Sequence, residues 1–186
     1  MTQKELYDCL GDCPVIAAVH ETSFDRAVHS PASVIFLLGG NLLTVEEQIK
    51  TAQANGKRVF IHIDLADGIG KDKIGIEFLA RCGADGIIST RANLIRTAKD
   101  CGLLTVQRFF ALDSQGVNSI SEMLESTKPH LIEIMPGIAS KVIKRFTGST
   151  IPVIAGGLIE TKAEVTEALG NGAEAVSTGK EELWYM

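Results

Sequence analysis

Short aliphatic runs rich in β-branched residues recur along the chain, at 15–19, 34–38, 58–63, 86–89, 104–108, 131–135, 152–155 and 175–178. Most are apolar at nearly every position, the pattern of strands buried on both faces of a parallel sheet. Their starts fall 18 to 28 residues apart, and helix signals fill the intervals. Thr44-x-x-Glu47, Ser119-x-x-Glu122 and Thr161-x-x-Glu164 have capping-box spacing, in which hydroxyl and carboxylate each satisfy an otherwise orphaned amide. Gly56, Gly83, Gly102, Gly148 and Gly172 each fall shortly before a strand, where a left-handed residue ends a helix. The recurring order of cap, helix, glycine, strand and polar turn predicts βα units.

Eight such units predict an α/β fold, a compact (β/α)8 TIM-like barrel forming a single domain over 1–186. Within it, 14–186 are the βα repeats and 1–13 hold an N-terminal helix, at 3–10, that caps the barrel floor. Barrels typically need about 250 residues, so at 186 residues the helices must be short and the loops minimal. Only eight residues follow Thr178, which truncates the eighth helix. An open doubly wound sheet is the alternative arrangement of the same strands.

With 45% hydrophobic and 22% charged residues the chain is a packed globular protein rather than a disordered one. No apolar run approaches the roughly 20 residues of a membrane span. The opening Met1-Thr2-Gln3-Lys4-Glu5 lacks the layout of a signal peptide, so a cytoplasmic protein without membrane partners is expected. Cys9, Cys13, Cys82 and Cys101 have no zinc-site spacing and read as reduced thiols. No metal-ligand cluster or dinucleotide motif appears, so no metal or cofactor is expected. Self-association stays open.

In a barrel the working residues lie at the C-terminal ends of the strands. Ala155-Gly156-Gly157 and Ser177-Thr178-Gly179 end the last two strands, where paired glycines let main-chain N–H groups approach an anion. These are the loops that commonly hold a substrate phosphate; the plainer reading of Gly156-Gly157 taken alone is a tight turn. Asp64 and Glu133 end strands on different sides and could accept hydrogen bonds from ligand hydroxyls or act as general acid and base. Arg91 and Arg108 could neutralise phosphate or simply pair with those carboxylates. His62 shares a strand face with Asp64 and reads as a core histidine. No lysine sits on a strand end for Schiff-base chemistry.

Net charge is −5, so the field of the whole molecule does not attract nucleic acid. Residues 50–108, however, hold ten Lys or Arg against six acids. Lys71, Lys73, Arg91 and Arg96 could form a basic rim there, with a solvated charged face as the plainer reading. Phe109-Phe110 offers either a stacking surface for a base or packing at the barrel mouth.

At its strand ends the chain resembles the bacterial glycerol uptake operon antiterminator regulatory proteins. The matching stretches are His62-Ile63-Asp64-Leu65-x-x-Gly68-Ile69, Gly86-Ile87-Ile88-Ser89-Thr90-Arg91-x-Asn93, Gln107-Arg108-Phe109, Ile132-Glu133-x-x-Pro136-Gly137 and Ala155-Gly156-Gly157-Leu158-Ile159. The likeness runs from about Pro14 to the end. It implies a cytoplasmic regulator with no catalytic residues that binds glycerol 3-phosphate and then the leader mRNA of glycerol-catabolic operons, preventing termination. On that reading Gly156, Gly157, Thr178 and Gly179 meet the phosphate, and Asp64 and Glu133 meet the glycerol hydroxyls with Arg91 or Arg108 nearby. Lys71, Lys73 and Arg96 are then the expected RNA surface. The alternative is a phosphosugar isomerase or lyase using Asp64 and Glu133 for proton transfer.

Overall fold

In the computed structural model, which describes residues 1–148 and 150–186, eight parallel strands close into a barrel. They are β1 (Val15–Val19), β2 (Val34–Leu37), β3 (Arg58–His62), β4 (Gly86–Ser89), β5 (Leu104–Phe110), β6 (Leu131–Met135), β7 (Val153–Gly156) and β8 (Ala175–Thr178). Each pairs with its sequence neighbour, and β1 pairs with β8 through Ile16 opposite Ser177, which removes the open-sheet alternative.

Alternation divides every strand between two cores. Ile16, Phe36, Phe60, Ile88, Val106 and Ile154 fill the barrel interior. The intervening residues, such as Ile35, Ile61, Ile87 and Ile132, pack outward against the helices. Both sets are apolar, which is why the strands read as continuous runs. Gly86 is required by this packing, because a Cβ there would lie 2.3 Å from the Phe60 ring.

The outer layer comprises α2 (Phe24–Val28), α3 (Val45–Ala54), α4 (Lys73–Arg81), α5 (Ala92–Asp100), α6 (Ser114–Thr127), α7 (Ser140–Phe146) and α8 (Lys162–Gly170), one after each of the first seven strands. After β8 a 3-10 turn, Glu181–Tyr185, replaces a helix. It buries Leu183 and Trp184, and the indole Nε1 donates to Thr178 O at 2.9 Å. The floor is closed by α1 (Gln3–Asp12), whose Leu6 and Leu10 join the interior core.

Local signals held unevenly. Thr161 and Glu164 form the expected capping box of α8, and Thr2 with Glu5 forms another on α1. Ser119 and Glu122 lie inside α6, which starts instead at Asp113, whose carboxylate accepts from Gly116 N–H at 2.7 Å. Thr44 precedes α3 but turns its hydroxyl to Glu21 and Asn41, leaving the helix end without a side-chain cap. Gly56, Gly83, Gly102 and Gly172 take the left-handed conformation; Gly148 does not. β5 runs two residues further than its aliphatic pattern, because Phe109 and Phe110 find register partners in Ile134 and Met135.

Candidate functional site

The barrel interior is apolar through its lower and middle layers and becomes polar at the C-terminal end. There His62, Arg108, Glu133 and Ser177 are all buried. Arg108 Nε donates to Glu133 Oε2 at 2.5 Å, and Ser177 Oγ donates to Glu133 Oε1 at 2.5 Å. Alternation produces this layer: Arg108 and Glu133 are register partners, so both side chains point inward. Gly156 makes room for it, since a Cβ would stand 2.5 Å from Glu133 Oε1 and 2.7 Å from Ser177 Oγ. His62 joins them with Nδ1 unpartnered among the described residues. Burial, reinforced by the Arg108 charge, pushes its pKa down to about 4, so the imidazole is neutral at pH 7.

Above this layer opens a cavity of about 360 Å³, within the range of small-molecule sites. Arg108, Glu133 and Ser177 form its base, Gly157 and Leu158 one wall, and Thr178, Gly179 and Lys180 another. Gly157 has φ +74° and Leu158 φ +58°, so two successive left-handed residues turn the chain over the cavity. A Cβ on Gly157 would meet Met135 Cε at 2.6 Å. Among the described residues, the main-chain N–H groups of Gly157, Leu158 and Gly179 donate to no protein acceptor. Lys180 adds a cation, loosely paired with Glu160 at 3.4 Å. The arrangement is a set of amide donors and the Lys180 cation above a layer in which Arg108 and Ser177 donate to Glu133, suited to an anion that also carries hydroxyl groups.

Of the residues expected at the site, Arg108, Glu133, Gly157, Thr178 and Gly179 line this cavity, and Gly156 lies beneath it. Thr178 commits its hydroxyl elsewhere, donating to Ile159 O at 2.7 Å and accepting from Lys180 N–H. Asp64 and Arg91 do not line the cavity. Asp64 accepts from Ser89 Oγ, Thr90 N–H and Thr90 Oγ1 at 2.7–2.9 Å, and Arg91 Nε stands 3.7 Å away. Burial would raise the Asp64 pKa, but these donors outweigh it and hold the carboxyl below its ordinary value. Ser177 and Lys180 belong to the site by the same β8 register that gave Thr178 and Gly179, and Leu158 by its backbone alone.

The basic rim is only partly basic. Lys71 donates to the carbonyls of Ala66 and Ile69, Lys73 stands 3.6 Å from Glu77, and Arg96 is exposed on α5. Among the described residues no group of three or more His, Cys, Asp or Glu could hold a metal ion, and no helix is long and apolar enough to cross a membrane.

A family model for the glycerol-3-phosphate responsive antiterminators matches residues 15–184. The uncharacterized protein YgcP of Escherichia coli (strain K12) is 36% identical over 176 residues, spanning 93% of this chain and 92% of that protein. The crystal structure of a glycerol uptake operon antiterminator regulatory protein from Listeria monocytogenes superposes with a TM-score of 0.87 at 36% identity, covering 93% of this chain and 95% of the other. A glycerol uptake operon antiterminator-related protein from Thermotoga maritima gives 0.84 at 35% identity, covering 92% and 98%.

Proposed function

This chain belongs to the glycerol-3-phosphate responsive antiterminator family, and from that premise we propose that its barrel mouth is the receptor for glycerol 3-phosphate and that the loaded protein acts on leader RNA to prevent transcription termination. The carrying observation is the convergence of unpaired amides from the β7 and β8 loops over the Arg108–Glu133 pair. The phosphate takes the N–H groups of Gly157, Leu158 and Gly179 together with Lys180. The glycerol hydroxyls point down to the Arg108, Glu133 and Ser177 layer, where among the described residues Arg108 spends only Nε on protein partners.

A regulatory rather than a catalytic role is supported by the state of both carboxylates. Glu133 has each oxygen occupied, and Asp64 is held ionised outside the cavity. Neither is poised to take a proton from a ligand. Asp64 instead ties the end of β3 to the turn after β4.

Isothermal titration with glycerol 3-phosphate tests the reading. Saturable one-to-one heat is expected, weakened about tenfold by Lys180→Ala through loss of a charge-assisted contact worth about 1.5 kcal/mol. Phosphorus NMR of the same mixture after long incubation should show the ligand unchanged. Absence of heat would remove the receptor, and conversion would replace the regulator with an enzyme.

A further inference from the structure

With a net charge of −5, binding to a polyanion requires a local patch of uncompensated cations. One element supplies it. From 134 to 159 the chain contains Lys141, Lys144 and Arg145 and not one Asp or Glu. All three cations lie on the exposed side of α7, and among the described residues none forms an ion pair with a carboxylate. Arg145 donates to the neutral Asn118 Oδ1 at 2.8 Å and stands 6.0 Å from the Phe146 ring centroid.

Beside this helix the end of β5 and the turn that follows expose apolar surface. Phe110 is 52% and Leu112 81% accessible, and Leu112 forms a wall shared by two adjoining grooves, one lined by Lys141 and Arg145 and the other by Phe110. Asp113 also borders both grooves, but its carboxylate caps α6. Cations for phosphates beside an exposed aromatic ring for bases is the chemistry of single-stranded nucleic acid recognition. We infer that the face formed by α7 and the β5–α6 turn, centred on Phe110, Lys141, Lys144 and Arg145, is a binding surface for single-stranded RNA.

This surface deepens the antiterminator reading and rests on it, because both of its walls are tied to the backbone around the proposed effector cavity. Met135, which lines that cavity, accepts through its carbonyl from Ala111 N–H at 2.8 Å, holding the β5–α6 turn. Two residues on, Gly137 N–H donates to Gly156 O at 2.5 Å and Gly157 O at 3.0 Å, holding the start of the connection to α7. A phosphate seated on Gly157 therefore bears on the backbone that sets the distance between Phe110 and α7. A ligand that prefers one spacing of these walls shifts RNA affinity, and RNA shifts ligand affinity by the same factor.

The test uses fluorescence anisotropy of a labelled leader transcript of a glycerol uptake operon, with and without glycerol 3-phosphate, across a salt series. The triple variant K141A/K144A/R145A should lose at least tenfold in RNA affinity, and its salt slope should fall by about 2, as three lost contacts on a single strand require. Its calorimetric affinity for glycerol 3-phosphate in the absence of RNA should be that of the wild type, which also reports that it is folded. Lys141→Glu with Lys144→Glu, which leaves the Arg145 contact in place, should give the same loss. Variant K71A/K73A/R96A should keep RNA binding. Wild-type RNA affinity in the α7 variants, or its loss in the Lys71 set alone, overturns the surface while leaving the antiterminator reading intact. A wild-type protein that binds glycerol 3-phosphate but no RNA overturns both.

Discussion

His62 shows how a single side chain can couple the barrel interior to pH. Its ring is buried beside Arg108 and Glu133 with Nδ1 unpartnered, and burial is the largest cause of its lowered pKa. In the unfolded chain the imidazole takes up a proton near its ordinary pKa of about 6.5, whereas in the fold it does so only near 4. The unfolded state therefore binds more protons between these values. The stability contribution is complete above pH 6.5 and is lost as pH falls towards 4, on the order of 1 kcal/mol per pH unit. His130 shifts in the same direction, so the difference between two proteins isolates His62. Urea unfolding at pH 7, 6 and 5 should show a shallower loss for His62→Leu than for the wild type, and parallel slopes would exclude His62 as the cause. Asp64 acts with the same sign in a lower window. Its lowered pKa gives stability that is present above its ordinary value near 4 and lost as pH falls through the folded value, below the window in which His62 acts.

Among the elements, α1 and the turn Glu181–Tyr185 do at the two ends of the chain what the seven outer helices do around the barrel. Leu6 and Leu10 of α1 are 1% and 0% accessible and share a core with Leu104 and Leu131 at the N-terminal ends of their strands. Leu10→Ala should cost about 2–5 kcal/mol by leaving a cavity in the floor. Chemical denaturation should show that loss, while titration calorimetry returns an unchanged affinity for glycerol 3-phosphate, because the floor lies at the end of the barrel away from the cavity. A weakened affinity would mean that the floor and the mouth are coupled through the interior. Capping signals were informative only where the surrounding chain left them free to act. Thr161 and Glu164 stand at a helix start with nothing competing for the hydroxyl, whereas Ser119 has the same spacing inside α6 and spends its hydroxyl on Gly116 O.

For the whole molecule, effector binding and folding share one equilibrium. Glycerol 3-phosphate at about 100 times its Kd should add about 2.7 kcal/mol, raising the thermal midpoint by roughly 5–10 °C for a chain of this size. Scanning calorimetry over a concentration series should show a midpoint that climbs with the logarithm of ligand; a flat response would contradict binding to the native state. The sequence alone was enough to determine the number and parallel direction of the strands. Strands buried on both faces leave unbroken aliphatic runs joined by helical crossovers, whereas closure into a barrel was decided by the pairing of β1 with β8. The sequence also marked Gly156, Gly157, Thr178 and Gly179, because conformational freedom and position at a strand end are local properties. Tertiary structure decided which of the polar residues at the strand ends share a space. Arg108 and Glu133 meet inside the barrel because register makes them partners, while Asp64 and Arg91 stand aside, since the chain after β3 turns into a 3-10 segment that hands the carboxylate to Ser89 and Thr90. Charge compensation was legible in part: Lys73 and Glu77 are spaced i, i+4 along α4, and 134–159 holds no acid. The fold decided the rest, such as the 2.8 Å reach of Arg145 to Asn118 Oδ1 on α6, because distances between elements are encoded by no local pattern.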